Sequence, residues 1–237
     1  PAATALGFLE ETVHENYTEA ARAYQQAALS PIACYNLALI KEYGKGTAID
    51  YPAAFHLYQK AAEAGEPAAM AQLAHCYQQG IGTPVDNSEA KAWYEKAAQK
   101  GDAIALYHAG LLTLAETSYP NPEKAVRYLE KAIQAGNELA LMKLAHLLYE
   151  GKKIPQNIDR AVALYTQAAN NQNAEAAAML AQIHAARGQT QAAKEWLEKA
   201  RQAGSPQIEE KISWIKSLQE PRKSTLPRFS LVPSNSI

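Results

Sequence analysis

The chain has 237 residues, 48% of them apolar and 20% charged, a balance that predicts a collapsed fold rather than a disordered one. With 23 basic against 24 acidic side chains the formal charge is -1, which argues against a phosphate-covered partner, so no nucleic acid is expected. No run approaches the ~20 apolar residues that cross a bilayer. The two cysteines, Cys34 and Cys76, form neither a CxxC pair nor a disulfide framework. The chain opens on Pro1 with no signal segment visible, which leaves both the cytoplasm and an exported compartment open.

Alanine supplies 48 of the residues. It is the best helix former and lets helix backbones approach closely, so tightly packed helices are the default expectation. A catalytic inventory is thin. The aspartates are Asp50, Asp86, Asp102 and Asp159, all at loops or expected helix starts, where capping explains them. There is no GxSxG, HExxH, Walker-type loop or GxGxxG.

A period of about 36 residues organises the chain. In chain order, a degenerate copy over 1–29 carries Leu6–Gly7 and the run Tyr17–Leu29, and full copies follow at 30–65, 66–101, 102–136, 137–172 and 173–204. Each predicts two helices. The first carries Leu and a small residue, or their equivalents: Leu37–Ala38, Leu73–Ala74, Ala109–Gly110, Leu144–Ala145 and Leu180–Ala181. The second carries Ala, then Tyr or Leu four residues on, then Ala three later, as in Ala54/Tyr58/Ala61, Ala90/Tyr94/Ala97, Ala125/Leu129/Ala132 and Ala193/Leu197/Ala200. Those spacings put each set on one helix face, where a small residue admits a large one from the neighbour. Gly65, Gly101, Gly136 and Gly204 stand where a helix ends in a left-handed residue, and Pro52, Pro67, Pro122 and Pro206 stand near first turns. Residues 205–219 place Ile208, Ile212, Ile215 and Leu218 at helical spacing, with Trp214 beside them, and predict a helix capping the last repeat. Residues 220–237 are rich in Pro and Ser and predict an extended tail, with 1–219 as a single repeat domain. Arg222, Lys223 and Arg228 in that tail are too few charges for a nucleic-acid site.

Leu and a small residue, then GxG, then Asp, then Ala…WYxKAAxxG resembles the Sel-one-like repeat, a longer-looped relative of the tetratricopeptide repeat. The best copies are Leu73–Ala74…Gly80–Ile81–Gly82…Asp86…Ala90–Lys91–Ala92–Trp93–Tyr94–Glu95–Lys96–Ala97–Ala98 and Leu37–Ala38…Gly44–Lys45–Gly46…Asp50. The third copy has lost GxG, the fourth reads Gly151–Lys152–Lys153 and the fifth keeps only Arg187–Gly188. The resemblance implies an all-α, right-handed superhelix of antiparallel hairpins, commonly bacterial, whose concave face is lined by the first helices. Some secreted members staple each hairpin with a cysteine pair; this chain has no such pairs.

By analogy with tetratricopeptide grooves, four positions around the Leu-small landmark should face inward. Two before it stand Tyr35, Ala71, Tyr107, Met142 and Ala178, and one before stand Asn36, Gln72, His108, Lys143 and Met179. Two after come Leu39, His75, Leu111, His146 and Gln182, and five after come Glu42, Gln78, Leu114, Tyr149 and Ala185. The predicted partner-binding set is Tyr35, Asn36, Leu39, Gln72, His75, Tyr107, His108, Leu111, Lys143, His146 and Tyr149, where aromatics supply area and amides satisfy a bound backbone. Packing between helices is the competing reading at each position. His75 and His146 lie two repeats apart, about 20 Å at helix-packing distances, too far to share a metal. His75 with His108, and His108 with His146, are on adjacent copies, but no carboxylate or thiolate is expected to complete a site, so no metal or cofactor is predicted. Cys34 and Cys76 read as small buried residues.

The leading expectation is a non-catalytic adaptor holding another protein or an extended peptide in its groove; the chain's own tail 220–237 is a further candidate occupant. The alternative is an immunity protein neutralising a toxic bacterial enzyme, as some family members do. A cell-wall hydrolase, suggested for distant relatives, finds no nucleophile, base and orienter here.

Overall fold

The computed structural model describes residues 2–116 and 121–204. Among them are twelve α-helices and no strand: α1 (Ala2–Thr12), α2 (Tyr17–Gln26), α3 (Pro31–Tyr43), α4 (Tyr51–Glu63), α5 (Pro67–Gln79), α6 (Asn87–Gln99), α7 (Ala103–Ala115), α8 (Pro122–Gln134), α9 (Glu138–Glu150), α10 (Ile158–Asn170), α11 (Ala174–Ala186) and α12 (Thr190–Gln202). The expected capping helix at 205–219 and the tail at 220–237 lie outside the described residues.

Helix boundaries follow local chemistry. Ser30, Asp50, Asp102, Asn121, Asn137 and Asn173 each accept the backbone N–H three residues on, and Asp86 accepts two, from Ser88 and Glu89. Asp159 differs from the expectation for the aspartates. It sits in the first turn of α10, while Asn157 accepts the Arg160 N–H and makes the cap. Prolines 31, 52, 67 and 122 occupy first turns, where no N–H is needed.

The GxG pair has two distinct jobs. Gly44 and Gly80 close α3 and α5 in the left-handed conformation. The second glycine lies against the preceding hairpin. A Cβ on Gly82 would stand 2.2 Å from the Tyr51 carbonyl oxygen at the start of α4, and one on Gly46 would stand 2.8 Å from Thr18 N at the start of α2. In the fourth copy Lys153 takes this place, and its ammonium donates to the Leu114 carbonyl at 3.3 Å.

The residues group into two compact units, Pro1–Leu164 and Tyr165–Ile237, divided within α10. In the first unit, helices adjacent in sequence pack on one another from α1 to α9, so each hairpin lies against the next. Leu37, Ala38, Leu73, Ala74, Ala109, Leu144 and Ala145 are buried on the first helices, and Ala54/Tyr58/Ala61, Ala90/Tyr94/Ala97 and Ala125/Leu129/Ala132 on the second. Gly110 shows the small-for-large exchange directly, because an added Cβ would meet Leu129 at 3.2 Å. Neighbouring second helices are tied by ion pairs, Lys124 of α8 to Glu95 of α6 at 2.8 Å and Arg160 of α10 to Glu130 of α8. In the second unit α11 packs against α12 around Ala177, Ala178 and Ala200, with Trp196 and Leu197 alongside. The architecture is an all-α solenoid of helical hairpins.

Candidate functional site

All eleven predicted groove residues are half-buried: none is sealed in the core and none stands fully in solvent. Within that common level of exposure the structure sorts them. Tyr35 of α3, Gln72 and His75 of α5, and His108 of α7 line one cavity of about 360 Å3, together with Tyr43, Ala68, Ala71, Tyr94, Asp102 and Ile104. Three successive first helices thus contribute to one depression. Tyr107 lies edge-on against His108, with ring centroids 5.3 Å apart. Leu39 packs on the core. Asn36 turns toward the amino-terminal hairpin, where its amide donates to the Tyr24 hydroxyl at 3.0 Å. Leu111, Lys143, His146 and Tyr149 do not line this cavity.

The position five after the landmark behaves differently from the groove expectation. Glu42 is buried and accepts the Tyr58 hydroxyl at 2.5 Å, and Gln78 accepts the Tyr94 hydroxyl at 3.2 Å. These side chains turn inward to their own hairpin because a buried phenol needs an acceptor. Tyr149 occupies the same register in α9.

Electrostatics in the cavity are dominated by burial. Burial raises the Tyr35 hydroxyl, Gln72 opposes that by hydrogen-bonding to it, and the charges of Glu66 and Glu42 raise it further. Burial and then the neighbouring His75 hold His108 below its ordinary 6.5, against the opposing pull of Asp102. His108 stacks flat on Tyr94, centroids 4.8 Å apart and planes 9° from parallel, and its Nδ1 is buried without a partner. Burial first, then Glu42, pushes the Cys76 thiol up to about 12, so it stays protonated and unreactive. Cys34 is likewise buried and free.

Contrary to the sequence reading of the histidines, a carboxylate does share their surroundings: Asp102 lines the same cavity as His75 and His108. Even so, no three His, Cys, Asp or Glu groups among the described residues come together as a metal site. The sequence pattern also missed Tyr43, Tyr94, Asp102 and Ile104 as wall residues. Tyr94 reads as core and Asp102 as a helix cap, and both are; Tyr43 and Ile104 stand one turn from Leu39 and His108, and Asp102 caps the helix that carries His108, whereas nothing in the pattern points to Tyr94 on α6. No helix among the described residues is long and apolar enough to cross a membrane.

Repeated hairpins with buried Leu-small and Ala-Tyr-Ala columns, joined by left-handed glycines, define a repeat solenoid. The family model described as Sel1 repeat matches residues 31–66, 67–102, 103–137, 139–173 and 174–205. The chain belongs to the Sel1 repeat family. Among solved structures it resembles a Sel1 repeat protein from Oxalobacter formigenes, at 28% identity and a TM-score of 0.68 over 85% of this chain and 86% of that one. It also resembles a protective antigen of uropathogenic Escherichia coli displaying an SLR fold, at 26% identity and a TM-score of 0.76 over 87% of this chain. This chain spans only 46% of the Escherichia coli protein. No curated protein matches the sequence.

Proposed function

We propose that the chain is a non-catalytic interaction scaffold that holds a segment of a partner protein on the face made by the first helices of its hairpins. The observation that carries this reading is the cavity shared by Tyr35, Gln72, His75 and His108, four residues standing at three fixed places around the repeat landmark. Half-buried aromatic and amide groups contribute apolar area while leaving hydrogen-bonding capacity for an extended backbone. Family membership supports the same role, since repeats of this kind present surfaces rather than reaction chambers.

The test is capture from the native cell with the full chain as bait, beside a triple variant carrying Tyr35→Ala, His75→Ala and Tyr107→Ala. Far-UV circular dichroism should be unchanged, because these side chains are half-buried rather than core. A partner held by the parent should be lost by the variant. Retention of the same partner at the same level overturns the reading.

A further inference from the structure

Resting on that reading, we infer that the cavity between α3, α5 and α7 takes a basic side chain of the partner, arginine above all. Its wall contains three tyrosines, two histidines, one glutamine and one carboxylate, and no lysine or arginine. Asp102 accepts the Ala105 N–H through Oδ1, which leaves Oδ2 for a ligand. Glu66 and the buried Glu42 add negative charge beside Tyr35.

The hydrogen-bonding inventory points the same way. His108 has a buried Nδ1 with no partner. Burial favours its uncharged form, and a neutral imidazole has one nitrogen that accepts. The wall therefore offers acceptors at Asp102, His108, the Gln72 carbonyl and the tyrosine oxygens. A guanidinium brings five donors, no acceptor, and a flat face that lies against tyrosine rings. Tyr43, 59% exposed, offers such a face at the rim. A cavity of about 360 Å3 is at the small end of ligand pockets, the size for one long side chain and its backbone. An acidic side chain would meet Asp102 and find no lysine or arginine in the wall.

The probes are three nonapeptide libraries, degenerate except for a central Arg, Glu or norleucine, applied to the immobilised full chain. Retention is measured alongside the imidazole ring signals of His75 and His108 by NMR. The Arg library should be retained about tenfold over the Glu library, the combined scale of a charge pair and a cation–π contact, and both ring signals should move. Asp102→Asn, which keeps the helix cap because Asn caps as well as Asp, should cut Arg retention about threefold. Equal or better retention of the norleucine or Glu library, with the histidine signals moving, overturns the basic-ligand inference and leaves the groove reading standing. Arg retention with unmoved histidine signals, or unaffected by Asp102→Asn, places binding elsewhere and also overturns it. No retention of any library overturns the groove reading and the inference with it.

Discussion

The hairpins α3/α4 and α5/α6 each set a buried phenol against an acceptor on the first helix, whereas α7/α8, built on the same template, sets leucine against leucine at those two places. Tyr58 and Tyr94 fill the place that Leu129 fills in α8, and all three are at most 1% exposed. Opposite them, at one register of the first helix, stand Glu42, Gln78 and Leu114. The acceptor and the phenol come and go together. A buried hydroxyl has to be satisfied, so a Tyr on the second helix demands an acceptor on the first, and a Leu there makes the acceptor a liability. The repeat thus tolerates two solutions to one packing problem, and it is the unit of exchange, pair for pair, that is constrained. The same hairpins differ in their loops, since α3/α4 and α5/α6 keep GxG and α7/α8 has none.

The loop difference should give the largest effect. Gly82→Ala drives a Cβ into the Tyr51 carbonyl, at a φ of +69°, and the obstacle is backbone rather than a side chain that can swing away. A loss of about 3 kcal/mol is expected in thermal or urea unfolding. Gly65→Ala is the control: it also has positive φ, but nothing lies within 4 Å of the new Cβ, so only the left-handed strain of about 1 kcal/mol applies. Equal losses at the two sites would show that conformation alone, and not the approach of neighbouring hairpins, fixes the second glycine.

The interior difference comes next. Tyr58→Phe leaves Glu42 buried without its donor, and Glu42→Leu leaves the Tyr58 hydroxyl without its acceptor, each costing about 2 kcal/mol. Making both changes together imitates α7/α8 and should cost less than the sum, with a coupling of about 1–2 kcal/mol in the double-mutant cycle. Strict additivity would refute the idea that the pair is the unit of exchange.

The helices, both buried columns and the caps at Asp50, Asp86 and Asp102 were legible in the sequence, because alanine and leucine recur at spacings that only a helix face satisfies and because Asp and Gly mark ends; the Ser and Asn caps, with Asn157 in place of Asp159, were not. The Leu-small landmark even located Tyr35, Gln72, His75 and His108 at one cavity. What the pattern missed was the direction of side chains at a helix edge. Glu42 and Gln78 look like groove residues by register, yet the Tyr58 and Tyr94 hydroxyls draw them into the hairpin. Asn36 is drawn aside in the same way by Tyr24, whose hydroxyl also donates to Glu11 at 2.9 Å. Spacing reports which face a residue shares; which neighbour claims its polar end depends on pairs that only the packed hairpins bring together.

A smaller effect separates the glycine-terminated second helices from α10. Gln172 has a φ of +63° where Gly65, Gly101, Gly136 and Gly204 stand after the other helices. Relieving the clash of a side chain in the left-handed region is worth about 1 kcal/mol, so Gln172→Gly should raise the melting temperature. A lowered one would mean that the Gln172 side chain does something the glycines do not.

The smallest expected effect sharpens the comparison at the cavity, where Tyr94 of hairpin α5/α6 meets His108 of hairpin α7/α8. The groups around that imidazole are Tyr94 of α6, His75 of α5, Tyr107 on α7 itself and Asp102 at its start. Burial holds the folded pKa below 6.5, while the unfolded ring titrates near 6.5. Between those two values the unfolded chain binds the extra proton, so stability falls as pH drops below 6.5 and is unaffected by this group above it. His108→Phe keeps a ring on Tyr94 and abolishes the titration. Its melting temperature should therefore fall less than the parent's between about pH 7.5 and about pH 5.5, by about 2 °C. Identical falls would place the acid sensitivity in other groups and show that the buried imidazole is protonated in the folded chain as easily as in the unfolded one.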